Sequence, residues 1–276
     1  MKLKIIPQGT RLPFLKQRFI AFAISAVLIV LSAVMFFGPG LNKGIDFEGG
    51  IMIEVGFKEA PDLGDMRSAL GGLDLGQVSL QTFGASDDIL IRVQRQEGDS
   101  TAQKIAVDKV KAQLQSDYGD ELSYRRIEFV GPTISAELVD TAIEAVLFSV
   151  LAILIYIWLR FEWHYSVGAI AALVHDVILT MGMFAITGIE FNIASVAAIL
   201  TIVGYSINDT VVVYDRIREN FRRYKKMDVT DLLNLSINET LSRTVMTSVT
   251  TLLALGALFI FGGEVIRGFA TAMIFG

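Results

Sequence analysis

The 276-residue sequence contains no cysteine. A disulfide framework, a thiolate nucleophile and a thiolate metal site are therefore excluded, while the compartment stays open. Histidine occurs twice, at His164 and His175, and neither belongs to an HExxH spacing. That pattern offers no zinc-hydrolase ligand set. No G-x-x-x-x-G-K-[ST] stretch is present, so the P-loop route to binding ATP is missing as well. No metal, cofactor or nucleic acid is expected as a partner, and no convergent set of catalytic residues stands out. Charged residues make up only 19% of the chain.

What the chain has in abundance is apolar sequence. Hydrophobic residues reach 53% and the mean hydropathy is +0.53, and they are clustered, which is the composition of a membrane protein. Lys2, Lys4, Arg11, Lys16 and Arg18 precede an apolar run over residues 19–37. The run is longer than the apolar core of a signal peptide and ends in Phe36-Phe37-Gly38-Pro39-Gly40, so it reads as an uncleaved membrane helix with residues 1–18 in the cytoplasm. Further apolar helices are expected over Ala145–Leu159, Ser166–Ile186, Phe191–Tyr214 and Thr244–Phe261. A sixth begins after Gly262-Gly263-Glu264, but Val265–Gly276 falls short of the roughly 20 residues that a crossing needs. Residues 215–243 read as a basic cytoplasmic loop, on the same side as the N-terminus by helix count.

Residues 38–136 read as one soluble domain between the first two helices. Ile51, Ile53, Val55 and Phe57 alternate as a half-buried strand, and Pro61–Asp65 opens a short helix carrying Met66, Leu70 and Leu73. Val78, Leu80 and Phe83, then Ile89, Ile91 and Val93, suggest two strands around the turn Gly84–Asp88. Ser100 suits an N-cap for a helix through Ile105, Val107, Val110 and Leu114, stopped near Gly119. A last strand spans Leu122–Val130, where alternation slips at Arg125-Arg126 as in a bulge. The order β-α-β-β-α-β is the ferredoxin-like pattern. Such a domain reads as a binding or lever module.

Ionisable residues inside the apolar helices are the candidate functional groups, because a charge there costs several kcal/mol unless paired, hydrated or protonated. Asp209 lies beside a stripe of small and polar residues, Ala194, Ala198, Thr201, Tyr205 and Asn208, which suits close helix packing and hydrogen bonding. It reads either as a proton carrier or as a static hydrogen-bonding residue. Arg243 starts the fifth helix at a similar depth and suits a counter-charge for Asp209, or an anchor that snorkels to the interface. His175-Asp176, in the middle of the third helix, reads as a proton relay or as a fixed interhelical hydrogen bond. Glu137, Asp140 and Glu144 share one helical face, either standing in water or with Glu144 at a proton entrance.

The motif Gly44-Ile45-Asp46-Phe47-Glu48-Gly49-Gly50 resembles the G-[IL]-D-F-x-G-G signature of the SecD/SecF protein-export membrane proteins. Val130-Gly131-Pro132, His175-Asp176, and Gly204–Thr210 with Asp215–Asn220 are similar to further motifs of that family. The N-D-T and D-R-I-R-E-N forms and the single small external domain point to its SecF branch. The resemblance covers essentially the whole chain, and it places the family's intramembrane aspartate on Asp209 and its arginine on Arg243. It implies a multi-pass protein of the bacterial inner membrane with residues 38–136 periplasmic. It also implies a SecD partner, a six-plus-six helix bundle related to the resistance-nodulation-division exporters, association with the SecYEG channel, and work on a translocating preprotein driven by protons. The competing reading is half of a proton-coupled small-molecule exporter, against which the domain offers no evident apolar cleft.

Overall fold

A computed structural model describes residues 10–98, 100–119 and 122–276. Lys2 and Lys4 lie outside the described residues. The chain forms two compact units, residues 43–144 and the remainder.

The first unit is built on the alternation of β1 (Gly50–Gly56). Ile51, Ile53 and Val55 are fully buried and face α3 (Leu63–Gly71) and α4 (Ser100–Tyr118) through Met66, Leu70, Val110 and Leu114. Strands β2 (Val78–Phe83), β3 (Ala85–Val93) and β4 (Ser123–Val130) complete an antiparallel sheet of order β2-β3-β1-β4. Asp62 caps α3 by accepting from the Gly64 and Asp65 amides at 2.6 and 3.2 Å. The register of β4 on β1 slips between Glu54 and Val55, which pair with Arg126 and Tyr124. Arg125 is the extra residue, and the predicted bulge sits there. It carries Arg125 to Asp88, which its guanidinium pairs.

Three details differ from the sequence reading. The β2–β3 connection is tighter than Gly84–Asp88, since β3 already starts at Ala85 and Gly84 turns the chain at a φ of 84°. Phe83 falls opposite to Val78 and Leu80 by strand alternation, and an irregularity in the pairing separates it from Thr82. It joins Ile45, Met52 and Leu90 on the other side of the sheet. In α4 it is Ala106 that packs inward while Ile105 is 53% exposed, because the buried stripe runs Ala106–Val110–Leu114 at steps of four. The helix also includes Ser100 itself rather than being capped by it, and the preceding position lies outside the described residues.

The Gly49-Gly50 pair has a backbone reason. A single helical turn, α2 (Ile45–Glu48), must reverse into β1, and it does so through φ angles of 71° at Gly49 and 123° at Gly50. A Cβ on Gly50 would sit 2.7 Å from the Val93 carbonyl oxygen, so only glycine allows the strand to start this close to β3.

The second unit is helical: α1 (Arg18–Phe37), α5 (Pro132–Arg160, whose first part belongs to the other unit), α6 (Trp163–Thr187), α7 (Ile193–Arg223), α8 (Val229–Phe261) and α9 (Glu264–Phe275). Among the described residues five helices are long and apolar enough to cross a membrane, and Ile266–Phe275 is a shorter apolar segment. α1 crosses α6 where buried Ser32 meets Gly182, whose missing side chain permits the contact. The supposed loop at 215–243 is instead a helical hairpin. α7 runs nine residues past Tyr214 and α8 starts at Val229. Ile217, Asn220, Leu232 and Ser236 are buried between them, and Asn220 donates to Ser236 Oγ and Glu239 at 3.0 and 2.7 Å. Charge marks the outside of this hairpin, and the buried stripe makes it helical.

Gly50→Ala is expected to destabilise its unit by ~2–3 kcal/mol through backbone strain and the clash with Val93. Gly131→Ala, where a Cβ meets nothing within 4 Å, is expected to be near neutral. Thermal unfolding of the full chain in nanodiscs, followed by circular dichroism, distinguishes the two.

Candidate functional site

The hairpin fixes how α7 and α8 face each other. Stepping back along α7 from Asn220 and forward along α8 from its partner Ser236 by equal numbers of residues brings Asp209 level with Thr247. Arg216 and Glu239, 3.7 Å apart, keep nearly the same register. Arg243 is therefore one turn, ~6 Å of helix rise, nearer the hairpin than Asp209.

Beside Asp209 lies a partly open cavity of about 510 Å³. α6 supplies Asp176, α7 supplies Tyr205, Ser206, Asn208 and Asp209, α8 supplies Thr247, Ser248, Thr250 and Thr251, and α9 closes one side with Met273, Ile274 and Phe275. Apolar Ile202 of α7 and Leu252 and Leu255 of α8 share the lining with these polar groups. The volume suffices for several waters, each taking about 30 Å³, and the polar groups offer the partners that such waters require.

The two carboxylates of the cavity are held differently. Asp176 is clamped: Ser206 Oγ donates to its Oδ2 at 2.7 Å, and His175 Nδ1 lies 3.1 Å from its Oδ1. Asp209 is not clamped, and its Oδ1 is buried with no hydrogen-bond partner. His175 Nε2 is likewise buried without a partner. A buried polar oxygen without a partner is uncommon in folded proteins, and here it lies beside a water-sized space.

The structure thus brings Asp209, Asp176, Tyr205 and Asn208 to one cavity, with His175 attached through Asp176. Thr201 is not on its wall and donates to the Ala197 carbonyl at 2.7 Å. Arg243 is exposed, and no ion pair joins it to Asp209 among the described residues. It lies one turn below Thr247 on the same α8 stripe as the lining residues. Gly44, Asp46, Phe47, Gly49 and Gly50 belong to the other unit. Sequence reasoning passed over Ser206 and the α8 hydroxyls. The run Thr247-Ser248-Val249-Thr250-Thr251 was the available signal, but hydroxyls bonded to their own helix, as Thr247 to the Thr244 carbonyl and Thr250 to that of Met246 at 2.9 Å, are cheap to place in apolar helices.

These features define a multi-pass helical membrane protein with one α+β unit inserted between its first two apolar helices and protonatable groups inside its bundle. Residues 109–276 match the family model "Protein export membrane protein SecD/SecF, C-terminal", and residues 34–61 match the SecD/SecF GG motif. The chain belongs to the SecD/SecF family. It is 46% identical over 276 residues to the protein translocase subunit SecF of Rickettsia felis, across 99% of this chain and 88% of that one. Against the SecF subunit of Rickettsia prowazekii it is 44% identical over the same coverage. It is also similar to the crystal structure of SecDF, a translocon-associated membrane protein from Thermus thermophilus, with a TM-score of 0.86 at 35% identity. That match covers 99% of this chain and 36% of the SecDF chain, so the chain spans about a third of that protein.

Thr251→Cys, in a chain with no other thiol, is expected to react with a charged, water-soluble thiol reagent. Leu253→Cys, at a position 70% exposed on the outer surface of the bundle, is expected to react at least about tenfold more slowly once in a bilayer, where no water supports the thiolate. Labelling rates in nanodiscs measure both.

Proposed function

We propose that this chain is a SecF-like subunit that works with a SecD partner and the SecYEG channel in translocating preproteins across the bacterial inner membrane. Its N-terminus is cytoplasmic, residues 38–136 form a periplasmic domain, and protons crossing the bundle drive movement of that domain. The strand order β2-β3-β1-β4 with one helix after β1 and one after β3 supports a ferredoxin-like domain. The short apolar helix at Ile266–Phe275 supports a sixth span.

The observation that carries the reading is the cavity holding an unpartnered Asp209 carboxylate beside a clamped Asp176. When Asp209 ionises, the nearest strong cation on α8 is Arg243, one turn away, and pairing the two requires α7 and α8 to slide or the arginine side chain to reach upward. Protonation releases it. Two helix arrangements, each favoured by one protonation state, are what a proton gradient biases: one charge crossing the field is worth ~2.3 kcal/mol per 100 mV, about a fiftyfold shift in a two-state equilibrium. His175 and Asp176 act as the relay on the α6 side of the cavity, with Tyr205 and Asn208 beside Asp209 in its lining.

Asp209→Asn is expected to abolish the gradient-dependent part of preprotein export into membrane vesicles while leaving gradient-independent export in place. Arg243→Ala is expected to do the same, and Arg243→Lys to keep part of it, since a charge at that depth matters more than a guanidinium fork. Export in Asp209→Asn that still responds fully to the gradient contradicts the reading.

A further inference from the structure

At the end of α5 the chain turns into α6 over an aromatic plug. Phe161 is buried, with ring centroids 6.0 Å from Tyr165 and 6.1 Å from Tyr214 of α7. Beyond the plug Arg160 pairs with Asp215 at 2.9 Å, and Arg218 donates to the Arg160 carbonyl at 3.3 Å. A concavity of about 700 Å³ opens there, lined by Arg160, Asp215, Arg218, Glu219, Arg222 and Arg223. The α7 members recur at spacings of three and four, so they share one helical face.

Both acids of that face are engaged. Asp215 is held by Arg160, and Glu219 by Arg216 at 2.9 Å. Among the described residues no carboxylate pairs with Arg218, Arg222 or Arg223, so the concavity carries surplus positive charge. Its flank is apolar. Trp158, Leu159 and Trp163, on either side of the same turn, are 62%, 82% and 61% exposed. A soluble anion uses only the guanidinium groups of such a place. A molecule with a phosphate at one end and acyl chains at the other uses both parts.

The geometry points to a binding site for the phosphate headgroup of an anionic phospholipid, formed by Arg218, Arg222 and Arg223 against the α5–α6 turn. Arginine suits it: the guanidinium is permanently charged and offers planar, paired donors to phosphate oxygens. A merely diffuse attraction of basic residues to an anionic leaflet would draw equally on Lys225 and Lys226, which lie just beyond in the turn to α8 and do not line the concavity. The site thus separates from general interfacial charge, and it stands whether or not the proton-coupling reading holds. By tying α7 to the α5–α6 turn through a lipid, it makes the bundle's behaviour depend on leaflet composition.

The chain's two tryptophans, Trp158 and Trp163, both flank the site and report on it. In nanodiscs of phosphatidylcholine doped with brominated lipid, brominated phosphatidylglycerol is expected to quench their emission at lower mole fraction than brominated phosphatidylcholine. Each of Arg218→Gln, Arg222→Gln and Arg223→Gln is expected to weaken that preference about fivefold, from the contribution of one basic residue at an anionic surface. Lys225→Gln with Lys226→Gln is expected to leave it unchanged, and circular dichroism establishes that each variant remains folded. Inorganic phosphate at equal concentration is expected not to relieve the quenching. Equal quenching by the two brominated lipids, loss of preference in the lysine variant as large as in the arginine variants, or displacement by inorganic phosphate would each overturn the proposal.

Discussion

A carboxylate oxygen buried without a partner is the constraint around which the helical unit is arranged. Asp209 Oδ1 has no hydrogen bond, and in an apolar bundle an ionised group in that position costs several kcal/mol. The surrounding structure answers the cost without removing it. It leaves a cavity of about 510 Å³ at the carboxylate, lines it in part with hydroxyl and amide groups, and keeps a cation one helical turn away. A fully satisfied Asp209 would lock α7 to its neighbours, as Ser206 locks Asp176 to α7. The two aspartates therefore differ, Asp176 bonded and Asp209 open, and the proposed proton exchange rests on that difference.

That division depends on register, and register comes from outside the apolar region. The α7–α8 hairpin, with Asn220 bonded to Ser236 and Glu239 inside it, sets the levels of Asp209, Thr247 and Arg243 along the bundle. A buried, bonded asparagine specifies alignment more sharply than apolar packing does, because a shift of one turn leaves polar atoms unsatisfied. In the other unit the Gly49-Gly50 reversal plays a comparable part, since it fixes where β1 begins against β3 and β4.

Much of this was legible in the sequence, for physical reasons that also explain the gaps. Asp209, His175 and Asp176 stood out because charge is expensive in apolar sequence, and the bulge at Arg125 showed as a break in alternation. The hairpin did not show. A solvent-facing helix and a loop are equally rich in charge, and the discriminating stripe of Ile217, Asn220, Leu232 and Ser236 is short and half polar. Reading that hairpin as a loop placed the membrane border by charge alone, and so set Arg243 only at a depth similar to that of Asp209. The structure puts it one turn lower and leaves it exposed.

The central claim is that the protonation state of Asp209 selects between two arrangements of α7 and α8. With no native cysteine, spin labels can be placed at Ala197→Cys and Ile260→Cys, both exposed and at the end of α7 and α8 remote from the hairpin. Pulsed electron–electron resonance in nanodiscs then reads the separation of the two helices from acidic to alkaline pH. The account predicts a distance distribution that shifts with pH in the otherwise unaltered chain and stays at the acidic distribution at every pH when Asp209→Asn is added. A pH response that survives Asp209→Asn, or an unaltered chain that shows none, would contradict it.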